Sequence, residues 1–585
     1  MNKILKHTGL LLFLSIFLAL MNACSENLDI ASFDPETPEY SLEGGDVSVP
    51  KEGGDFTVNV KSNLPWRAKT STDWITMKSE SGMGDGTFTF TAGRNRTVDE
   101  RIGEIIVWVT DDEQKSIKII QAPSEVSDLV NHYYVKTTGT DANDGLSWAT
   151  PTTLSNAIDM MAPGDYIHIA AGTYIPTNKV SGGSQDADIT FEIHSNVTII
   201  GGYPANAAEG AVSDPENNET ILSGDKKYYH TVTVTAPVES GNKVTIQNLS
   251  IKNGLAGAST AGTININGAV YRRSYAGGMM IGKSVVDVIG CKISENESQQ
   301  HAAGIYVFAG ANVSFVDSDI TNNKGILEGS NGGGIFVESA TVYMTNCNIT
   351  GNTVWGVGGG IYTYSADTNT YLYLSNSTVA HNSTNAGPNT TRRGGGFYAR
   401  EFSRVQIVNS TFYANESGRG GGISMYGAAG KTAVVDMISC TFFDNYAINS
   451  AAGVEVLANT TLKAYNTIIS GNDAPTYPDI QSAANTATLS YMAVSNQLLD
   501  ASGTVINGQV FDPVTMFGGF EDNGGRMKTI MLSATSPAAT LGMTSAALET
   551  LASEYSPAID PDIITKDQIG SSRSGKTAMG AVVPK

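Results

Sequence analysis

The sequence is poor in cysteine, in basic residues and in charged residues as a whole. It has only four cysteines in 585 residues, and a chain of this length can bury large cores without the support of disulfides. Charged residues make up 16% of the sequence and glycines number 63, which favours a β-rich secreted protein over a long helical or disordered one. The 36 basic and 57 acidic residues give a net charge of -21, which repels phosphate backbones, so nucleic acid is not an expected partner.

The apolar run from Leu10 to Met21 is too short for a comfortable membrane span, and it follows Lys3 and Lys6. This arrangement is typical of a secretion signal. The four residues from Met21 to Cys24, MNAC, resemble a bacterial lipobox, and this resemblance implies that Cys24 is lipidated and becomes the mature N-terminus. The alternative is ordinary signal cleavage with Cys24 incidental.

We therefore predict a lipoprotein signal peptide over residues 1–24 and an acidic, proline-containing tether over residues 25–40. The protein is then expected to contact a membrane only through its lipid anchor and to face outward from the cell.

Residues 41–123 contain short alternating segments, FTVNVKS, FTFTAG, EIIVWVT and IKIIQA. This pattern predicts a small Ig-like antiparallel β-sandwich. The segment also resembles the BACON family of Bacteroidetes surface proteins, through EGGDFTVNVKSNLPW, DWI at Asp73, RIGEI and the closing QA. That resemblance implies binding of carbohydrate or mucin and an outer-membrane location. Trp66 and Trp74 could stack on sugars, but tryptophans beside alternating strands are more often part of the core.

Residues 132–509 begin with a short helical pattern and a strand. Leu154, Ala157, Ile158 and Met161 share one apolar helical face, and Pro163-Gly164 ends it. A helix in this position can cover the open end of a long β array. The segment resembles the opening of right-handed parallel β-helix proteins of the pectin-lyase-like superfamily.

Seven asparagines recur with a period of about 29 residues, within the range of stacked repeats. They are Asn296, Asn323, Asn352, Asn382, Asn415, Asn445 and Asn472. The residues three positions earlier are all apolar: Ile293, Ile320, Ile349, Val379, Phe412, Phe442 and Ile469. The residues five positions earlier are all small: Cys291, Ser318, Cys347, Ser377, Ser410, Cys440 and Thr467. The two columns predict inward positions of a β-helix, hydrogen-bonded asparagines between coils, and three buried free thiols.

Glycine runs such as NGGGIFVES from Asn331 recur once per coil. A phosphate-binding loop requires a helix after the glycines, whereas a strand follows here, so these runs are not predicted to bind phosphate. We expect tight corners of positive φ at Gly334, Gly360, Gly396 and Gly422, where stacked backbones approach closely. The runs also resemble repeats of polymorphic outer-membrane proteins.

Residues 510–585 resemble the choice-of-anchor Q module of bacterial β-helix proteins, through YSPAID, Asp567-Gln568, Gly570, Arg573 and Gly580-Ala581. The resemblance implies terminal coils and a cap. The predicted fold is thus all-β, with an N-terminal sandwich followed by a right-handed parallel β-helix that has an N-terminal capping helix.

The β-helix resemblance brings polysaccharide cleavage into consideration. Lyases of this superfamily use an Arg or Lys base beside carboxylates that hold Ca²⁺, so calcium is expected only if the protein is a lyase. The candidates are Glu338, Arg400, Glu401, Arg404, Arg419 and Glu455. The alternative is that these residues are ordinary solvated charges, which are more common than catalytic residues. The only adjacent aspartates, Asp111-Asp112, lie in the sandwich, which weakens a hydrolase. No His and Cys cluster has metal-ligand spacing, so no resident metal or cofactor is expected.

Outward positions after the glycine runs are rich in aromatic residues. Alternation places Tyr306, Phe336, Tyr362 and Tyr398 in one outward column, and Glu338, Tyr364, Arg400 and Tyr426 in the next. Trp355 precedes one of the runs. These residues predict a carbohydrate-binding face. The alternative is a ladder that stabilises the sheet under a covering loop.

The sequence therefore favours a lipid-anchored surface protein that binds extracellular polysaccharide or glycoprotein glycan. A polysaccharide lyase or glycosidase is the second hypothesis, and a non-enzymatic adhesin or spacer is the third.

Overall fold

A computed structural model of the chain describes residues 37–125, 130–238, 243–384, 391–482, 487–495 and 497–584. Cys24, the signal sequence and most of the tether lie outside the described residues. The chain divides into two compact units, residues 1–129 and residues 130–585.

The first unit is a β-sandwich. One sheet contains, in spatial order, Tyr40–Leu42, Gly54–Ser62, Gly86–Ala92 and Ile75–Met77. The other contains Val47–Val49, Glu113–Gln121, Arg101–Thr110, Pro65–Thr70 and Ser81–Met83. Trp66 lies in the core at 1% exposure, and its Nε1 donates to the carbonyl of Gly84 at 3.0 Å. The guanidinium of Arg101 covers the ring of Trp74 at 4.4 Å. Both tryptophans therefore have structural roles.

The second unit is a solenoid with three long sheets, in which nearly all neighbouring strands are parallel. Sheet A contains His132–Val135, Tyr166–Ala170, Thr198–Tyr203, Val244–Gln247, Val285–Ile289, Asn312–Val316, Thr341–Thr345, Thr370–Ser375, Ser403–Val408, Ala433–Ile438, Thr460–Tyr465 and Ala487–Ser490. Sheet B contains Gly172–Tyr174, Thr220–Ser223, Ser250–Lys252, Lys292–Ser294, Asp319–Thr321, Asn348–Thr350, Thr378–Ala380, Thr411–Tyr413, Thr441–Phe443, Ile468–Ile469, Met492–Val494, Gln497–Leu499 and Val505–Val510. Sheet C contains Phe191–Ile193, Val232–Val234, Met279–Gly282, Ile305–Phe308, Ile335–Glu338, Ile361–Tyr364, Phe397–Ala399, Ile423–Met425, Val454–Val456 and Ile480–Ser482.

Shorter elements complete the solenoid. Further strands are Leu255–Ala256, Glu297–Ser298, Lys324–Glu328 and Thr353–Trp355, the pair Glu416–Arg419 and Tyr446–Ser450, the hairpin Thr263–Ile266 and Ala269–Arg272, and the pair Phe517–Glu521 and Thr529–Leu532. The α-helices are Leu154–Met160, Pro513–Met516, Ser545–Ser553 and Pro561–Ile564, and the 3₁₀-helices are Asp186–Asp188, Ser259–Ala261 and Pro537–Ala539.

The predicted capping helix is present as Leu154–Met160. Thr153 caps its N-terminus by accepting a hydrogen bond from the backbone N–H of Asn156. Leu154, Ala157 and Ile158 are buried in the same core cluster as the first coils. The apolar periodicity therefore identified both the helix and the face that it buries.

Both inward columns predicted from the sequence are confirmed, because every one of their fourteen residues is 0% exposed. The apolar column fills the solenoid core. In the column of small residues, hydroxyl groups accept from the preceding coil, as Ser377 Oγ does from Cys347 N at 3.0 Å. Cys291, Cys347 and Cys440 are buried free thiols, and burial raises the pKa of each to about 12.

The seven repeating asparagines form a continuous side-chain ladder. Asn323 Nδ2 donates to Asn352 Oδ1 at 2.9 Å, and Asn352 Nδ2 donates to Asn382 Oδ1 at 3.0 Å. Each amide donates one hydrogen bond in the C-terminal direction along the ladder and another to a backbone carbonyl of the preceding coil, as Asn352 Nδ2 does to the carbonyl of Ile320 at 2.8 Å. The last, Asn472, donates to the carboxylate of Asp479 at 2.8 Å, so an acceptor lies where the aligned donors point. Each asparagine thereby also satisfies buried backbone groups at its turn.

The glycine runs correct one prediction. Positive φ occurs at the first glycine of each run, Gly332 at 68°, Gly358 at 67°, Gly394 at 68° and Gly420 at 58°, and not at the predicted third glycine. A glycine is required at the third position only because the backbone of the next coil and an asparagine side chain approach it closely. A Cβ on Gly334 would lie 2.6 Å from the carbonyl oxygen of Gly360 and 3.0 Å from Asn352 Nδ2.

The segment after Val510 adds no strand to the three sheets among the described residues, so the prediction of terminal coils is wrong there. It packs against the middle of the solenoid instead. Gln568 Nε2 donates to Thr378 Oγ1 at 2.9 Å, and the buried guanidinium of Arg573 donates to Asn409 Oδ1 at 3.1 Å. Burial lowers the pKa of Arg573 to about 10. The planar guanidinium group of Arg573 is surrounded by carbonyl and amide oxygens, and it attaches the C-terminal segment to the side of the solenoid.

Candidate functional site

The predicted aromatic column lies outside the solenoid core, but it is not exposed. Tyr306, Phe336, Tyr362 and Tyr398 are 2%, 3%, 3% and 7% exposed. Their ring centroids follow one another at 5.2, 4.7 and 5.8 Å. We call these four residues the aromatic ladder. The expectation that its rings point into solvent is wrong, and the alternative of a covered structural ladder describes it better.

An inserted hairpin covers the N-terminal half of the aromatic ladder. Its strands Thr263–Ile266 and Ala269–Arg272 share a hydrophobic cluster with the four rings. Tyr275, just after the hairpin, meets Tyr306 edge-on at 5.1 Å. The buried pair of Arg273 and Asp188, 2.6 Å apart, anchors the base of the hairpin. Glu338 is also engaged at this end, because its carboxylate accepts from the hydroxyl of Tyr306.

The adjacent outward column remains partly open to solvent at the C-terminal half of the ladder. Tyr364, Arg400 and Tyr426 are half-buried, and the guanidinium of Arg400 lies 5.2 Å from the ring centroid of Tyr364. A cleft of about 490 Å³ opens here. It is lined by Arg393, Tyr398, Arg400, Tyr426, Leu457 and Ala458. The structure thus gathers Arg400, Tyr426 and the edge of the aromatic ladder in one place.

A buried carboxylate, Glu455, lies two strands beyond Tyr398 in the column of the aromatic ladder. Glu455 is 0% exposed. One of its oxygens accepts from Ser424 Oγ at 2.6 Å and from Arg393 Nε at 3.1 Å. Its other oxygen lies 3.8 Å from a guanidinium nitrogen of Arg419. Two guanidinium groups, each partly exposed, therefore share one hidden negative charge and leave a positive charge at the cleft.

The remaining predicted residues fall in different places. Glu401 is buried and its carboxylate lies 3.3 Å from the guanidinium of Arg400. Arg404 lies in a strand of sheet A, where it donates to the carbonyl of Thr432 at 2.8 Å, so it is not part of the cleft. Trp355 is 38% exposed and lies under the guanidinium of Arg392 at 5.3 Å. The proposed catalytic set of Glu338, Arg400, Glu401 and Arg404 is therefore not assembled at one point.

The cleft side chains are held in defined protonation states. Burial raises the pKa of Tyr398 to about 12, so its hydroxyl remains a hydrogen-bond donor at neutral pH. Despite burial, the nearby Tyr362 and Tyr398 raise the pKa of Arg400 above its usual value, so its guanidinium is cationic. The cleft thus combines aromatic surface, a neutral hydroxyl and fixed positive charge.

Two family models match parts of the chain. One, described as "Right handed beta helix region", matches residues 235–373 and 279–474. The other, BACON, described as "Putative binding domain, N-terminal", matches residues 64–122. The chain carries a BACON domain and a right-handed β-helix. The two-part architecture predicted from the sequence is therefore confirmed.

Solved structures with similarity to the chain include two lyases. A pectate lyase, Pel9A, is 14% identical with a TM-score of 0.44, and the similarity covers 71% of this chain and 92% of that one. A rhamnogalacturonan lyase is 12% identical with a TM-score of 0.42, covering 67% and 92%. No curated protein matches the sequence significantly.

Sequence reasoning missed a second aromatic group on the β-helix, on the outward face of sheet A. Tyr343, Tyr371 and Tyr373 lie in neighbouring strands. Tyr343 is 37% exposed. The signal was available, because in TVYMT and TYLYLS the tyrosines alternate with the inward Val342, Met344, Leu372 and Leu374.

Within the described ranges, no group of three or more His, Cys, Asp or Glu side chains could hold a metal ion. Among the same residues, no helix has the length and apolar character of a membrane span.

Proposed function

We propose that the protein binds extracellular polysaccharide through the sheet C cleft of its β-helix. The observation that carries this proposal is the cleft itself, in which Tyr426 presents aromatic surface, and the largely buried Tyr398 lines the wall, beside the guanidinium groups of Arg393 and Arg400. Its volume of about 490 Å³ falls within the roughly 300–1,000 Å³ of typical small-molecule sites. It has room for a short segment of a glycan chain.

The chemistry of the lining suits sugars. Tyrosine rings stack on the apolar faces of pyranoses and place their hydroxyl groups beside the sugar hydroxyls. A guanidinium offers a planar set of donors that matches carboxylate, sulfate or vicinal hydroxyl groups. Tyr398 stacks on Tyr362 of the aromatic ladder with centroids 5.8 Å apart, so its ring is held in place before the ligand arrives.

Binding is favoured over cleavage because the nearby carboxylates are already engaged. Glu455 is fully buried and shared by two arginines. Glu401 pairs with Arg400, and Glu338 accepts from Tyr306. A lyase or hydrolase needs carboxylates that are free to hold an ion or to move a proton.

The test compares glycan binding by matched variants. Tyr426→Ala and Arg400→Ala together are expected to weaken binding to any polysaccharide captured from a panel by at least tenfold. Arg404→Ala removes a guanidinium on sheet A outside the cleft and is expected to leave binding unchanged. Equal loss in both variants, or no capture by the native protein, would contradict the proposal. Incubation with the same panel, followed by reducing-end and unsaturated-uronate assays, distinguishes binding from cleavage.

From the sequence, we also propose that the protein is anchored to a membrane through Cys24. Lipidation at Cys24 would hold the protein on the outer membrane of a Bacteroidetes cell, where the cleft can meet polysaccharide outside the cell. The native protein is expected to partition into detergent, and Cys24→Ala is expected to give a soluble exported product. If the Cys24→Ala variant partitions into detergent as strongly as the native protein, the prediction of a lipid anchor is wrong.

A further inference from the structure

The outward face of sheet A carries a stepped group of three tyrosines. Tyr343 stacks on Tyr373 of the next strand with centroids 4.8 Å apart and an interplanar angle of 11°. Tyr371 lies in the same strand as Tyr373, with its ring centroid 6.5 Å away and its ring parallel to within 4°. We call these three residues the tyrosine step. In the preceding strands the neighbours of Tyr343 and Tyr371 are the small residues Ser314 and Thr341, so one face of each ring lies beside a small side chain rather than another ring.

The C-terminal segment builds one wall of a groove beside this step. The groove encloses about 210 Å³. Its lining includes Tyr343, Tyr373, Ser375, Gln406, Pro557 and Asp560. Ile559 packs in a cluster with Val408 and Ile438 of sheet A. Asn409 Nδ2 donates to the carbonyl of Ile563 at 2.6 Å. The wall is therefore fixed to the sheet from which the tyrosines project.

The lining of this groove is almost uncharged. Its one ionisable acidic group, Asp560, is already used, because its carboxylate accepts from the backbone N–H of Asp562 at 2.9 Å and caps a short helix. Ser375, Thr345, Gln406 and the tyrosine hydroxyls supply neutral donors and acceptors. This contrasts with the sheet C cleft, where guanidinium groups dominate. A neutral ligand with apolar faces and hydroxyl edges matches the lining in both charge and chemistry.

We propose that the groove beside the tyrosine step is a second saccharide site, which takes one uncharged pyranose unit of a polysaccharide. The groove is smaller than the roughly 300–1,000 Å³ of drug-sized sites, so it holds a single ring, stacked against Tyr343 and hydrogen-bonded to hydroxyl groups of the lining such as that of Thr345. This site is independent of the sheet C cleft, since no residue lines both.

The test uses neutral oligosaccharides and the full-length protein. Cellohexaose, xylohexaose, mannohexaose and maltohexaose are titrated calorimetrically against the native protein and against the double variant Tyr343→Ala with Tyr373→Ala. At least one of these probes is expected to bind, and the double variant is expected to weaken that binding at least tenfold. Tyr343→Phe, which keeps the ring, is expected to stay within about threefold of native affinity, since only one hydroxyl hydrogen bond is at stake.

The controls separate this site from the cleft and from misfolding. The cleft variant Arg400→Ala with Tyr426→Ala is expected to bind the neutral probe as the native protein does. If the double tyrosine variant melts at a lower temperature, the single Tyr343→Ala decides, because that ring is the most exposed of the three. Unchanged affinity in the tyrosine variants, or no binding of any probe at millimolar concentration, overturns the proposal. Loss in the cleft variant alone places neutral sugars in the cleft and also overturns it.

Discussion

The outward faces of sheet C and sheet A carry similar aromatic columns with opposite exposure. The rings of the aromatic ladder on sheet C are at most 7% exposed, whereas Tyr343 on sheet A is 37% exposed. On sheet C four aromatic residues follow in successive coils, and a hairpin inserted before them closes over the first. In the tyrosine step on sheet A, just Tyr343 and Tyr373 are stacked across strands, and Ser314 and Gln406 occupy the same column on either side of them. Strand alternation determines which way a side chain points, and the neighbouring coils and insertions determine whether it reaches solvent.

The largest effect expected from this comparison is on stability. Tyr362 is 3% exposed and contacts the rings of both Phe336 and Tyr398, so Tyr362→Ala leaves a cavity in a packed cluster. We expect a loss of about 3–4 kcal/mol in unfolding free energy. The measurement is denaturant unfolding followed by far-UV circular dichroism.

Tyr343→Ala is the matched control for this change. The same substitution on the exposed ring is expected to cost less than about 1 kcal/mol, in line with surface positions. Equal losses at the two sites would show that the two faces do not differ in packing, and would break the comparison.

The next largest expected effect compares a buried asparagine of the inward ladder with an exposed asparagine on the outward face. Asn352→Ala removes an amide that accepts from Asn323 and donates to Asn382. Because the partners are buried and lose their hydrogen bonds, we expect a loss of about 2–3 kcal/mol. Asn312, which is exposed on sheet A, supplies the control, and Asn312→Ala should change the unfolding free energy by less than about 0.5 kcal/mol. A neutral Asn352 variant would mean that the ladder contributes no stability.

The register of the solenoid could be predicted from the sequence because each coil repeats the same physical constraints. An asparagine that satisfies a turn and an apolar residue that fills the core must recur in every coil, so these columns are visible without a structure. Even Cys291, Cys347 and Cys440 were assigned as buried thiols from their column alone.

The site was less predictable because it depends on parts of the chain that do not repeat. The hairpin that covers Tyr306 is a single insertion, and the wall beside Tyr343 comes from Pro557 and its neighbours, about 210 residues later in the chain. The pairing of Arg393 with Glu455 likewise spans two coils. Neither sequence spacing nor alternation predicts such contacts. For this reason the aromatic ladder, which was expected to be exposed, is buried in the structure.

The smallest expected effect concerns a carboxylate on the outward face of sheet A. Asp436 follows Tyr373 and Gln406 in the same column, and its Oδ1 is buried with no hydrogen-bond partner among the described residues. Burial raises the pKa of Asp436 to about 6, although the nearby charge of Lys463 opposes the shift. Because the folded pKa lies above the unfolded value, the charged form opposes folding. Below about pH 4 the group is protonated in both states and costs nothing, and the penalty grows as the pH rises to about 6.

Asp436→Asn removes that penalty while keeping the size of the side chain. We expect the variant to be more stable than the native protein by about 1–2 kcal/mol at pH 7 and equally stable near pH 4. The measurement is unfolding free energy at both pH values. Asp287→Asn is the control on the same sheet face, because that carboxylate already pairs with Lys243 and its removal should not stabilise the fold. A destabilised Asp436→Asn variant at pH 7 would show that the carboxylate has a favourable partner and would contradict the expected penalty.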